Sequence, residues 1–180
     1  YQRRIDELLE KNELAFLNSR LGNSQVSDLD EYKTVSVTLN EAKINEGIID
    51  FLTFIKQIEK FGFLNSELDL AKKNYLQYLK QNIIDEETRS SESYVNEYQR
   101  HFLNDEMISS SEDQLKFTKE ILPSITIQDL NNYFKKYIQA KNQIISIKAP
   151  AYIKNLPNEA EIKKLFNEVA NKVDSPLSQL

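Results

Sequence analysis

Apolar positions along this chain recur with two periods, one of three to four residues and one of two. Ile5, Leu8 and Leu9 carry the longer period over residues 1–11, which predicts the end of an amphipathic helix whose start lies further upstream. Residues 13–21 place Ala15, Phe16 and Leu17 together ahead of the turn-forming Gly22, Asn23 and Ser24, so a strand is predicted there. Residues 33–39 set Val35, Val37 and Leu39 against Ser36 and Thr38, the alternation of a half-buried strand.

Helical spacing then takes over. Ile44, Ile48, Phe51, Leu52, Ile55 and Ile58 trace a broad stripe from an N-cap at Asn40 to a stop at Gly62. Ser66 and Asp69 have capping-box spacing and open a second helix through Leu68, Tyr75, Leu76 and Leu79 to about Ile84. Residues 86–103 form a third through Tyr94, Val95, Tyr98, Phe102 and Leu103. Ser110 and Ser111 cap a shorter helix through Leu115 and Ile121, which Pro123 terminates by removing a backbone donor. Thr126 with Asp129 starts another helix, carrying Leu130, Tyr133, Phe134, Tyr137 and Ile138.

An Ile-rich strand is predicted over residues 143–149, before Pro150. Asn158 with Glu161 then opens a final helix through Ile162, Leu165, Phe166 and Val169. The order of strand, strand, several helices, strand and helix predicts an α+β fold, a small antiparallel or mixed sheet with helices packed on one face. Residues 1–173 read as a single module, with 174–180 as the start of a linker.

Composition narrows the chemistry. The 180 residues are enough for one domain with its own core. The first residue is Tyr1, so an excised or mature piece of a longer protein is expected. No apolar run approaches the roughly 18 to 20 residues that a membrane span needs, so no membrane insertion is expected. A net charge of −5 and a pI near 5.1 argue against a phosphate-binding surface, so no nucleic acid partner is expected. The absence of cysteine removes disulfides, thiolate nucleophiles and cysteine zinc sites together. A single histidine, His101, falls short of the two or more ligands of that kind that a zinc peptidase uses.

The stretch Glu59, Lys60, Phe61, Gly62, Phe63, Leu64, Asn65, Ser66, Glu67, Leu68, followed by Ala71 and Lys72, resembles a segment of the pitrilysin/insulinase family of zinc metallopeptidases. Three further pieces fall in the same order: residues 87–91 with Tyr94, residues 122–130 (Leu-Pro-x-Ile-Thr-x-x-Asp-Leu) and residues 156–161 (Leu-Pro-Asn-Glu-Ala-Glu). Together they cover nearly the whole chain. The resemblance implies a module like those of the mitochondrial processing peptidase, paired with others so that two halves enclose a chamber. In that family one module carries the inverted zinc motif H-x-x-E-H, whose glutamate is the general base. His101 is followed here by Phe102, Leu103, Asn104 and Asp105, so the motif is absent. The final piece is most like the inactive module that follows the catalytic one in bacterial zinc proteases.

The resemblance therefore implies no catalytic, cofactor-binding or metal-ligating residue in this chain, and leaves its substrate-binding residues unassigned. Zinc is expected in the catalytic module of the same parent chain, with peptide as substrate and a bacterial periplasm or cell envelope as location. Some relatives supply an Arg and a Tyr toward the substrate from another module. Arg3 or Arg4 with Phe16 is the nearest match here, but Phe16 has no hydroxyl to stabilise an oxyanion.

Other candidates have plainer readings. Glu86, Glu87 and Arg89 suggest a carboxylate cluster, yet charges at a helix start usually serve capping and the helix dipole. Tyr94, Tyr98, Tyr133 and Tyr137 suggest an aromatic platform, but their spacing with Phe102 and Phe134 is that of core packing. Two other functions compete with the passive peptidase module: an assembly subunit of a zinc-less relative, and an unrelated helical adaptor with no sheet.

Overall fold

A computed structural model of the protein describes residues 1–25, 31–139, 142–154 and 156–176. The end of the expected linker, residues 177–180, lies outside the described residues. The chain divides into two compact units, Tyr1–Gly62 with Tyr133–Leu180, and Phe63–Asn132.

The first unit holds helix α1 (Gln2–Glu10), strands β1 (Phe16–Gln25) and β2 (Glu31–Leu39), helix α2 (Ile44–Phe61), the second half of α6 (Ile127–Ile138), and α7 (Glu159–Lys172). β1 and β2 pair antiparallel, with Leu21 opposite Val35 and Ser19 opposite Val37. Because side chains alternate along a strand, these four share one face. α1 packs on β1, while α2 packs on both strands and on α7. Ile5, Phe16, Phe54 and Ile58 are almost completely buried in this core. Gly47 explains how closely α2 approaches: a Cβ there would lie 3.0 Å from Leu39 Cδ2 and 3.2 Å from the Ala15 carbonyl oxygen. Asp50 of the same helix accepts a 2.7 Å hydrogen bond from the Ala15 N–H and so fixes the approach to β1.

The predicted turn at Gly22, Asn23 and Ser24 is strand instead. The three pair with Thr34, Lys33 and Tyr32, and ladder hydrogen bonds outweigh their local turn preference. Tyr137 reinforces this stretch by donating from its hydroxyl to the carbonyls of Gly22 and Thr34, the latter at 3.0 Å. Asn40 is not the N-cap of α2 either. Its Oδ1 accepts from the Ala42 N–H at 2.9 Å in a local turn, and the helix starts only at Ile44.

The largest departure is the third predicted strand. Residues 143–149 form neither strand nor helix. A strand is defined by its partner, and among the described residues this segment has none, whatever its β propensity.

The second unit holds α3 (Asn65–Asp85), a 3-10 turn (Glu86–Thr88), α4 (Ser91–Asn104), α5 (Ser111–Ile121), a second 3-10 turn containing Pro123 (Leu122–Ser124), and the first residues of α6. α3 packs against α5, burying Leu68, Leu79 and Leu115. The start of α3 is capped two residues earlier than Ser66 and Asp69 suggest, at Leu64. The Leu64 N–H donates to the Glu67 carboxylate at 2.6 Å, and the preceding Phe63 N–H donates to Asn131 Oδ1 at 2.8 Å. α4 begins at Ser91 rather than near 86, because Ser90 caps it by accepting from the Ser93 N–H. The caps at Ser110, Thr126 and Asn158 form as predicted: each accepts from the N–H three residues on, at 3.1, 3.2 and 3.1 Å.

Candidate functional site

Arg89 meets side chains of the following helix, and Glu86 meets one 25 residues on. Arg89 bonds Glu97 at 2.5 Å and Ser93 Oγ at 2.9 Å, and lies 4.3 Å from the centre of the Tyr94 ring. Glu86 accepts from the Ser111 hydroxyl. The Ser111 bond, then Arg89, hold the Glu86 carboxyl below its ordinary range, and Glu97 raises the Arg89 guanidinium. Every member is already engaged, so the cluster ties the 3-10 turn to α4 and α5 rather than offering a free acid or base. Glu87 is exposed and takes no part in it.

His101 is exposed near the end of α4, its Nδ1 2.6 Å from the Glu106 carbonyl oxygen. Among the described residues no group of three or more His, Cys, Asp or Glu is placed to hold a metal ion. Arg3 pairs with Glu7 at 2.6 Å, and the buried Arg4 donates to the Gly62 carbonyl at 3.1 Å. Phe16 is buried edge-on to Phe51. Arg4 and Phe16 serve packing, while Arg3 lies exposed on α1.

The tyrosines separate into two groups. Tyr137 and Phe134 are core residues as expected, but Tyr98 and Tyr133 are more than half exposed, and Phe102 is 84% exposed. The helical spacing of Tyr98 with Phe102 defines a stripe on α4 correctly, yet the described residues leave that stripe uncovered.

One polar arrangement has no local signature in the sequence. The Tyr1 hydroxyl bonds Ser19 Oγ, which in turn donates to the Ser36 carbonyl at 2.8 Å, and the Tyr1 ring itself lies against those of Phe54 and Phe134. Burial pushes the Tyr1 phenol from 10.0 up to about 12, against the lowering effect of Ser19. The neutral phenol is thus favoured on folding. Its contribution is complete below pH 10 and is lost as pH rises through about 12. Fully expressed, the rise would correspond to ~2.7 kcal/mol. Screening of this partly exposed ring leaves on the order of 1–2 kcal/mol. Urea titrations between pH 9 and 12.5 should show this loss in the native chain and not in Tyr1→Phe.

Two clefts open on the first unit. One, of about 280 Å³, lies between α2 and α7; the other, of about 510 Å³, is bordered by Glu41, Lys43 and Tyr152. The Tyr152 hydroxyl donates to both Glu41 oxygens, at 2.8 and 2.9 Å, and this bond raises the phenol above its ordinary value. Neither cleft brings a nucleophile to a base. No helix among the described residues is long and apolar enough to cross a membrane.

No family model matches the sequence, and no curated protein is significantly similar to it. The fold is nevertheless shared with solved proteases. The chain matches the periplasmic protease PqqL from Escherichia coli over 99% of its own length and 20% of that chain, at 18% identity and a TM-score of 0.83. The first half of PqqL matches at 19% identity and a TM-score of 0.81, with 39% of that chain covered. A predicted insulinase family protease from Yersinia pestis matches at 15% identity and a TM-score of 0.72, covering 93% of this chain and 36% of that one.

These likenesses define the class: an α+β protein with the pitrilysin/insulinase-type protease fold, as the sequence resemblance implies. The chain spans about a fifth of the PqqL chain. The β1–β2 sheet excludes the all-helical adaptor.

Proposed function

We propose that this chain is a non-catalytic module of a zinc-dependent metalloendopeptidase, helping to enclose and bind peptide while a different module of the same parent carries the zinc. The observation that carries this reading is the match of 99% of the chain to only 20% of a periplasmic protease. The single histidine and the absence of cysteine support it, since they leave this chain without the usual peptidase zinc ligands. Residues 1–173 act as one module, whose engaged polar clusters shape a wall rather than perform chemistry. In the catalytic module, zinc would polarise the scissile carbonyl and activate water. The description of PqqL as periplasmic supports a periplasmic or envelope location.

The test compares the full-length parent with the 180-residue chain on a mixed set of quenched peptides, with and without a chelator. Chelator-sensitive cleavage by the parent and none by the 180-residue chain is the expected result. Cleavage by the 180-residue chain alone would overturn it. A folded parent that cleaves nothing and lacks H-x-x-E-H would instead establish a zinc-less assembly subunit.

A further inference from the structure

The chain leaves α7 held against α2. Beyond the last helical residue, Lys172, Val173 is extended, with φ −82° and ψ 97°, and is only 6% exposed. Its carbonyl accepts from Lys60 Nζ of α2 at 2.7 Å, and Asp174 Oδ1 lies 3.9 Å from the same Nζ. The Ser175 carbonyl then accepts from Gln57 Nε2 at 3.4 Å. The segment expected from the sequence to be a linker therefore begins pinned to a helix. Pro176 keeps it extended, because its ring disfavours a helical conformation at the preceding Ser175.

The same bonds give the segment a direction. From Val173 to Ser175 the partner on α2 moves from Lys60 back to Gln57, toward the start of the helix. A helix rises ~1.5 Å per residue and an extended chain ~3.3 Å, so two more residues of chain pass about one more turn of α2. One turn back from Gln57 lies Thr53, and a further turn back lies Ile49. Both line the cleft of about 280 Å³ between α2 and α7, together with Val169, Val173 and Ser175. The chain continues as Leu177, Ser178, Gln179 and Leu180, without a charge. Side chains alternate along an extended segment, so Leu177 falls on the side of the buried Val173. The cleft has the matching character, since Val169 and Val173 are buried and Ile49 is 37% exposed. A segment tethered at the mouth of a cleft is present there at a far higher effective concentration than any separate molecule. A second copy would moreover bring two net charges of −5 together.

We propose that residues 177–180 dock in this cleft, with Leu177 seated beside Thr53 and Ile49, so that the polypeptide following this unit leaves it in a fixed direction instead of through a free linker. The docking requires neither zinc nor peptide, and so stands apart from the peptidase reading.

Disulfide trapping in the 180-residue chain tests it, and the absence of native cysteine leaves only the introduced thiols to pair. Leu177→Cys is combined either with Thr53→Cys in the cleft or with Ala170→Cys, an exposed position of α7 outside the cleft and much closer in sequence. A free tail closes the shorter loop more readily, whereas docking reverses that order. The Thr53 pair should oxidise on the order of 10-fold faster than the Ala170 pair, read by mass spectrometry of the linked peptides in variants whose circular dichroism matches the native chain. Equal rates, or a faster Ala170 pair, would overturn the proposal, as would links between molecules, which would identify a second copy. A single thiol gives an independent reading: alkylation of Ile49→Cys should speed up on the order of 10-fold when the chain is truncated after Pro176. An unchanged rate would also overturn the docking.

Discussion

Phe54→Ala should destabilise the chain by about 3–5 kcal/mol, the largest effect expected of any single truncation described here. Phe54 is 1% exposed on the buried face of α2 and meets the Tyr1 ring edge-on, with centroids 5.4 Å apart. Tyr1 in turn lies 6.3 Å from Phe134, so its ring sits between α2 and α6. Truncation removes the transfer energy of a phenyl group and leaves a void that close-packed neighbours only partly collapse to fill. A loss of this size is a large part of a domain's total stability of roughly 5–15 kcal/mol. Urea denaturation followed by circular dichroism measures it. Phe117→Ala is the control: Phe117 is 65% exposed, and its truncation should move stability by no more than about 0.5 kcal/mol. Equal losses from the two variants would mean that the core does not lie where the structure puts it.

Gly62→Ala comes next, at about 1–3 kcal/mol, and its cause is backbone rather than packing. Gly62 ends α2 with φ 74° and ψ −167°, a region that residues with a Cβ occupy only under strain. The conformation is held from both sides: the Gly62 N–H donates to the Ile58 carbonyl at 2.8 Å, and its own carbonyl accepts from the buried Arg4 at 3.1 Å. Relaxing the backbone would therefore loosen a buried guanidinium as well. An unchanged urea midpoint in Gly62→Ala would show that the residue reaches an ordinary conformation at no cost.

Helices were the most legible part of the fold. Thr126 with Asp129 and Asn158 with Glu161 start helices where their spacing says they should, since a capping box involves only four consecutive residues. Gly62 as a stop was equally readable, because glycine is the residue for which its φ is unstrained. The α3 cap was harder: Ser66 with Asp69 and Leu64 with Glu67 both place an acid three residues on, and the second pair formed.

The strands divide along the same line. Alternation in residues 33–39 identified β2, but the continuation of β1 through Gly22 and Asn23 depends on Thr34 and Lys33 opposite them. Residues 143–149 have strand composition and no described strand to pair with.

The candidate site follows the same rule. That His101 stands alone, that no cysteine exists and that no H-x-x-E-H motif occurs are facts of the sequence, and the proposed reading draws on them. Tertiary structure decided which of the remaining side chains are engaged: Glu86 with Ser111 across 25 residues, Tyr137 with Gly22 across 115, and the exposure of Phe102 on an otherwise ordinary helical stripe. Periodicity, caps and missing ligands are local properties, written within a few residues of one another. Burial and strand pairing are relations between segments far apart in the chain, so they exist only once it has folded.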